Sequence, residues 1–137
     1  WANTRILETL QNLDEENKKI HGLFSHILYA EQVWLNRLKG LDSSSIPLWA
    51  DTELETCANL VRQNEKDFAE FLQALNNSDL ERSVSYKNSK GQEFQTSIHD
   101  ILTHVALHGH YHRGQINQLL RMNENEPVNV DYITYVR

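Results

Sequence analysis

Four of the seven histidines fall within nine residues: His104, His108, His110 and His112. The surrounding stretch, Ile101 to Leu119, carries helical spacing. At about 100° per residue, His104, His108 and His112 climb one face, each step drifting by about 40°. Ile101, Val105, Ile116 and Leu119 lie on or beside that face, so the three imidazoles are expected to point inward. His110 falls on the far side and is expected to meet water. Two imidazoles four residues apart on one helix can reach a single metal. The pairs His104/His108 and His108/His112 both have that spacing, and spacing alone does not choose between them. Two ligands bind weakly, so a third is expected from another helix. His26, set among Leu23, Ala30 and Val33, is the candidate. His21 lies about 140° around the same helix and is expected at the surface, as is His99. A lone histidine on an apolar face is ordinarily a hydrogen-bonded core residue. Three stacked on one inward face are costly unless they are bonded or coordinated.

Three neutral imidazoles with one position left open describe a catalytic type of metal site rather than a closed structural one. Such a metal can act as a Lewis acid, lower the pKa of a bound water, or take a thiolate directly. A zincin protease needs Glu directly after the first histidine of the pair. Here Gly109 follows His108, so that mechanism lacks its base. Gln115, three residues beyond His112, lies on the histidine face and could orient a ligand or a water. Arg113 points about 100° aside and is expected to pair with a carboxylate. Gly114 costs up to about 1 kcal/mol in a helix interior, which suggests close helix packing there.

These side chains need helices to hold them. Ile6, Leu7 and Leu10, followed by Leu13, mark a first helix over 3–12 whose start is expected before residue 1. Asp14 offers an N-cap, with Glu15 and Glu16 in the first turn, for a long second helix running to Lys39. Its apolar positions are Ile20, Leu23, Phe24, Ile27, Ala30, Val33, Trp34 and Leu38, a period near 3.6. Gly40 follows as a left-handed stop. Leu41 to Ala50, with its serines and Pro47, reads as a loop. Asp51 or Thr52 is expected to cap a third helix carrying Leu54, Cys57, Ala58, Val61, Phe68, Phe71, Leu72 and Leu75, ended by Asn76-Asn77-Ser78-Asp79. Residues 83–96 alternate apolar and polar around Asn88-Ser89-Lys90-Gly91 and predict a short β-hairpin. Ser97 and Asp100 have capping-box spacing for a fourth helix to about Met122. Asn123 to Pro127 stop it, and 128–137 form a tail. Four helices of this size predict an all-α four-helix bundle, a place where metal sites recur on facing helices.

Composition narrows the setting. The 137 residues form one domain over 1–137, with charge −6 from 13 Lys plus Arg against 19 Asp plus Glu. That balance does not suit a compact nucleic-acid binder. No apolar run approaches the ~20 residues that span a bilayer, and Trp1 to Arg5 lacks a signal pattern. With a single cysteine, Cys57, and no signal, the expected location is cytoplasmic. Cys57 itself is expected as a small buried apolar side chain rather than a nucleophile.

The segment His108-Gly-His-Tyr-His112-Arg-Gly-Gln-Ile closely resembles the DinB family, the small damage-inducible DinB/YfiT-like metal-binding bundles, distinct from the polymerase that shares the name. The stretch Ser25-His26-Ile27-Leu28-Tyr29-Ala30-Glu31-Gln32-Val33-Trp34-Leu35-Asn36-Arg37 is similar to that family's histidine-bearing helix. Trp1-Ala2-Asn3 and Asp131-Tyr132-Ile133 also fit. The resemblance implies a four-helix bundle, often dimeric, with a divalent metal (zinc, nickel or iron) on His26, His108 and His112. His104 is then a neighbour of the ligands, as is Gln115. Some relatives transfer low-molecular-weight thiols, and others have been proposed as metal-dependent hydrolases. The expectation is therefore a metal-dependent enzyme, most simply a thiol S-transferase acting on electrophilic small molecules. A non-catalytic metal-binding stress-response protein and a metal-dependent hydrolase are the alternatives. The expected partners are a small-molecule substrate and a second copy of the chain, with no nucleic acid and no membrane.

Overall fold

In the computed structural model, which describes residues 1–13 and 17–137, the chain is mostly helical. The elements in order are α1 (Ala2–Gln11), α2 (Lys18–Leu38), α3 (Leu54–Gln73), a 3-10 turn (Asn77–Asp79), β1 (Ser83–Lys87), β2 (Glu93–Ser97), α4 (Ile98–Met122) and α5 (Tyr132–Val136). The fold is thus five α-helices and one two-stranded antiparallel sheet. The helix periods, the hairpin and the Asn76–Asp79 stop lie where the sequence places them. α2 and α4 form the most extensive helix pair; α2 also packs on α3 and β1, and α1 packs on α3.

Several ends differ from expectation. The cap expected at Asp14, with Glu15 and Glu16, lies outside the described residues. The N-cap of α2 is Asn17, whose side chain accepts from the Lys19 and Ile20 N–H groups at 3.1 and 3.2 Å. α3 is preceded by Glu53, which makes no side-chain cap bond, rather than capped by Asp51 or Thr52. Thr52 is instead buried, its hydroxyl 3.4 Å from the Ala50 carbonyl. At the end of α2 the sequence reading holds. Gly40 has φ 71°, its N–H donates to Arg37 O at 3.0 Å and the Leu41 N–H to Asn36 O at 2.8 Å. That 5→2 and 6→1 pair is a Schellman stop. At the start of α4, Ser97 Oγ accepts from the Asp100 N–H at 3.1 Å and donates to the Asp100 carboxylate at 2.7 Å.

The apolar stripes meet in two clusters. The larger joins Ile6, Leu10, Phe24, Ile27, Val61 and Ile116, among others. Val128 and Val130 belong to it as well, so the segment read as a plain tail docks into the core before forming α5. At about 1.5–3 kcal/mol for each fully buried large apolar side chain, these residues hold α1 to α4 together. The smaller cluster joins Leu38, Ile98 and Ile101, with Trp34, Phe68, Val84 and Tyr86 against it. The hairpin feeds straight into α4, and the Ile98 and His99 N–H groups donate back to the Arg82 and Leu80 carbonyls at 3.0 and 2.9 Å. Along α4, the histidine segment lies between Ile101 of the smaller cluster and Ile116 of the larger. Polar residues therefore occupy the gap between two apolar cores.

Candidate metal centre

His26 projects from α2 and His108 and His112 from α4. One ring nitrogen from each lies within 4.8 Å of the other two. His26 Nε2 and His108 Nε2 stand 3.2 Å apart. A tetrahedral zinc with bonds of about 2.0–2.1 Å separates neighbouring nitrogens by about 3.3 Å, so this pair is already at ligand spacing. His26 is 7% exposed, while His108 and His112 are half-buried.

The outer nitrogens fix the tautomers. His26 Nδ1–H donates to the Leu48 carbonyl at 2.8 Å, leaving Nε2 with its lone pair. His112 Nδ1–H donates to Gln115 Oε1 at 2.7 Å, and Gln115 Nε2 donates to the Tyr111 hydroxyl at 3.3 Å. Such outer bonds orient metal-ligating histidines and set which nitrogen is free. Burial holds the His26 pKa below its ordinary value, against the opposing Leu48 bond. Burial, reinforced by His112, His26, His104 and Arg113, pushes His108 down to about 4. Both rings are therefore neutral near pH 7, the form that coordinates metal.

The loop before α3 supplies parts that the sequence did not disclose. Fully buried Ser25 donates to the Ala50 carbonyl at 3.0 Å, and the neighbouring His26 holds the Leu48 carbonyl. Between these two anchors sits Trp49. Its ring stacks on His26 with centroids 3.7 Å apart and planes 4° apart, a contact worth about 0.5–1.5 kcal/mol. Yet Trp49 is 66% exposed. A loop has no period to give such a residue away; a tryptophan beside Pro47 in a serine-rich loop was the available signal.

His104 departs from expectation. It is exposed rather than inward-pointing, with its ring 4.9 Å from Trp34 and 5.6 Å from His108. A 40° drift per step carries the third histidine of the row out of the groove. It remains a neighbour of the trio. His21, expected at the surface, is buried. His99 and His110 are exposed as expected. Cys57 is buried, and burial raises its pKa to about 11, which makes it inert as a nucleophile at neutral pH.

Arg113 turns away from the histidines, as its angle predicts, into a second polar cluster. Its NH1 donates to Asn3 Oδ1 at 2.9 Å, and Asn3 Nδ2 donates to Glu31 Oε1 at 2.7 Å. Asn64 Nδ2 reaches Glu31 Oε2 and the Leu28 carbonyl, both at 2.9 Å. One residue from each of α1, α2, α3 and α4 thus joins around one carboxylate. Desolvation raises the Glu31 pKa, opposed by Asn64, Asn3 and the Arg113 charge. Glycine placement follows from this cluster. A Cβ at Gly109 would meet Arg113 NH1 at 2.7 Å, whereas a Cβ at Gly114 would meet nothing within 4 Å. The glycine whose missing side chain leaves room for a neighbour is Gly109, where that neighbour is the movable end of Arg113 one turn on, rather than Gly114.

The family model described as "DinB family" matches residues 1–137. A protein named "Protein DinB" from Bacillus subtilis (strain 168) is 26% identical over 153 aligned residues, covering 99% of this chain and 88% of that protein. No solved structure matches significantly. A family match running from Trp1 to Arg137, and so across both histidine-bearing helices, means that this chain belongs to the DinB family.

Proposed function

We propose that His26, His108 and His112 hold a divalent metal (zinc, nickel or iron) in a metal-dependent enzyme that joins a low-molecular-weight thiol to an electrophilic small molecule. The carrying observation is the convergence of three ring nitrogens within 4.8 Å, with the His26 and His112 outer nitrogens already bonded to Leu48 and Gln115. A bound metal would supply Lewis acidity and a thiolate stable at neutral pH. The chain's residues do the rest. Leu48 and Gln115 hold two rings in the ligating tautomer. Trp49 covers one face of His26, and Leu107 and Tyr111 add exposed apolar surface beside His108 and His112. That rim suits an electrophile with an apolar or aromatic body.

Thiol transfer is preferred here to a zincin-type hydrolysis, which needs a carboxylate base beside the ligands. Among the described residues, the group holds three histidines and no carboxylate, and Gly109 stands where a zincin places its base. We further propose a cytoplasmic homodimer in which α1 to α4 make a four-helix bundle; among the described residues no helix is long and apolar enough to cross a membrane. Metal analysis of His26→Ala and His112→Ala is the first test. Loss of metal in both supports the site, and unchanged content in both ends the proposal. A screen of the metal-loaded protein with several thiols and electrophiles is the second. Conjugate formation supports transfer. Inactivity throughout, together with a large metal-dependent rise in melting temperature, supports a non-catalytic metal-binding role instead.

A further inference from the structure

A cavity of about 510 Å3 opens between the loop after α2 and the hairpin. Its lining includes Arg37, Ser43, Leu48, Ser85 and Lys87. Leu48 is shared with the histidine site, where its carbonyl receives the His26 proton. The volume falls within the usual range for small-molecule sites.

Arg37 sets the chemistry of this cavity. Its guanidinium lies 4.5 Å from the Trp34 ring centroid and 4.9 Å from that of Tyr86. One of its nitrogens donates to the Lys87 carbonyl at 3.2 Å. The Nε–H is buried and has no acceptor, as is also true of Arg113; what separates the two is the counter-charge. Among the described residues no carboxylate pairs with it: Lys87 pairs with Glu93, and Asp42 at the rim turns its oxygens to the Ser44 N–H and hydroxyl at 3.0 and 2.7 Å. Aromatic faces compensate a cation only in part, by about 0.5–2 kcal/mol. A half-buried guanidinium without an anion carries a partial desolvation cost, and its planar fork matches carboxylate and phosphate oxygens. The exposed Asp42 charge opposes an anion only weakly, since solvent and salt screen it. Serine hydroxyls around the wall add partners for hydroxyl groups. Trp34 links this end to the metal site, with His104 against its ring at 4.9 Å.

We propose that this cavity seats a small hydroxyl-bearing anion, its carboxylate or phosphate on Arg37 and its body against the serine-lined wall. The ligand is the polar substrate of the neighbouring histidine site, and only this last step rests on the metal-site reading. The test is a titration of isotope-labelled protein, as purified and again after chelation, with inorganic phosphate, succinate and gluconate. The readout is the Arg37 Nε–H signal in proton–nitrogen spectra, identified by its absence in Arg37→Gln. The expected result is a saturable shift of that signal in both preparations, with gluconate stronger than succinate. Binding in Arg37→Gln is expected to weaken about tenfold or more. A preference for phosphate over both carboxylates assigns the anion as a phosphate ester. Should Arg37→Gln fail to fold, Arg37→Lys keeps the charge and removes the fork, and its expected loss is smaller but of the same sign. A stationary Arg37 signal with all three probes overturns the proposal, as does equal binding by Arg37→Gln. Because the chelated arm needs no metal, failure of the histidine site leaves this outcome readable.

Discussion

Two polar regions interrupt the helical core, and they are finished to different degrees. Around Glu31, both carboxylate oxygens meet a donor and the Arg113 cation has a counter-charge: Asn3 lies between the carboxylate and Arg113, and Asn64 holds the second oxygen, although the Arg113 Nε–H, like that of Arg37, has no acceptor. At the histidines, the outer nitrogens of His26 and His112 are bonded while the inner ones converge on one another. The two half-buried arginines repeat the contrast. Arg113 has the Glu31 charge to raise its pKa against desolvation; Arg37 has only Tyr86. A polar cluster whose charges are paired specifies how the helices meet. One that leaves lone pairs or a cation unmatched is arranged for something that binds. The largest effects should therefore come from adding the missing partner at one site and removing a partner at the other.

Saturating metal should stabilise the protein by about 4 kcal/mol at a thousandfold excess over its dissociation constant. Calorimetric melting with and without metal checks this, and the gain should vanish in His26→Ala and His112→Ala. The Glu31 cluster should respond to loss rather than gain. Glu31→Ala leaves Arg113 without its counter-charge and Asn3 without its acceptor, while Asn64 keeps only the Leu28 carbonyl, with an expected cost of about 3 kcal/mol in urea unfolding. The metal-induced gain should survive in that variant. Loss of both properties together would mean that the two regions are one. Gln115→Ala sits below these. Freeing the outer nitrogen of His112 should weaken metal binding about tenfold, the low end for such supporting groups, with little change in metal-free stability.

The regions should also oppose one another in pH. His26 and His108 have pKa values below the ordinary 6.5, chiefly through burial. On acidification the unfolded chain takes those protons first. Their contribution is therefore intact above about 6.5 and falls away as pH drops toward 4, where His108 titrates. Glu31 is raised above its ordinary 4.5, so the native state takes that proton first. Its contribution is present below 4.5 and fades as pH rises through its native value. Metal-free unfolding measured across pH 4 to 8 should thus steepen in Glu31→Gln, where the opposing arm is gone.

Much of the histidine region was legible in the sequence, and little of the Glu31 cluster. Histidines at four-residue steps announce themselves, and Gln115 follows by one turn. The choice of His108/His112 over His104/His108 needed the family resemblance, since both pairs share the spacing. His21 shows the limit of a helical wheel, which reports angles but not what covers the far side. The Glu31 cluster hid because its members are ordinary polar residues far apart in the chain. Asn64 carried a signal: it stands on the stripe of Val61 and Phe68, where a polar residue needs a buried partner. Which partner it has is a fact of tertiary packing. Leu48 and Trp49 were unreadable for another reason, because loop conformation leaves no periodic trace.

The smallest expected effect tests whether Gly109 belongs to the Glu31 cluster. Replacing a mid-helix glycine by alanine ordinarily stabilises by about 1 kcal/mol. Here the new Cβ would sit 2.7 Å from Arg113 NH1. That atom ends a flexible side chain and can move, but it is also the atom that donates to Asn3. Moving it breaks a charge-assisted bond worth about 1.5–3 kcal/mol. Gly109→Ala should therefore come out mildly destabilising, by about 1 kcal/mol, in place of the usual gain. The sharper measure is a double-mutant cycle with Asn3→Ala. If Gly109 serves to let Arg113 lie along α4, the second substitution costs less once the first is made, with a coupling of about 1 kcal/mol. Additive effects would show that Arg113 reaches Asn3 without the space that Gly109 leaves, and would place the requirement for glycine after His108 with the histidines instead.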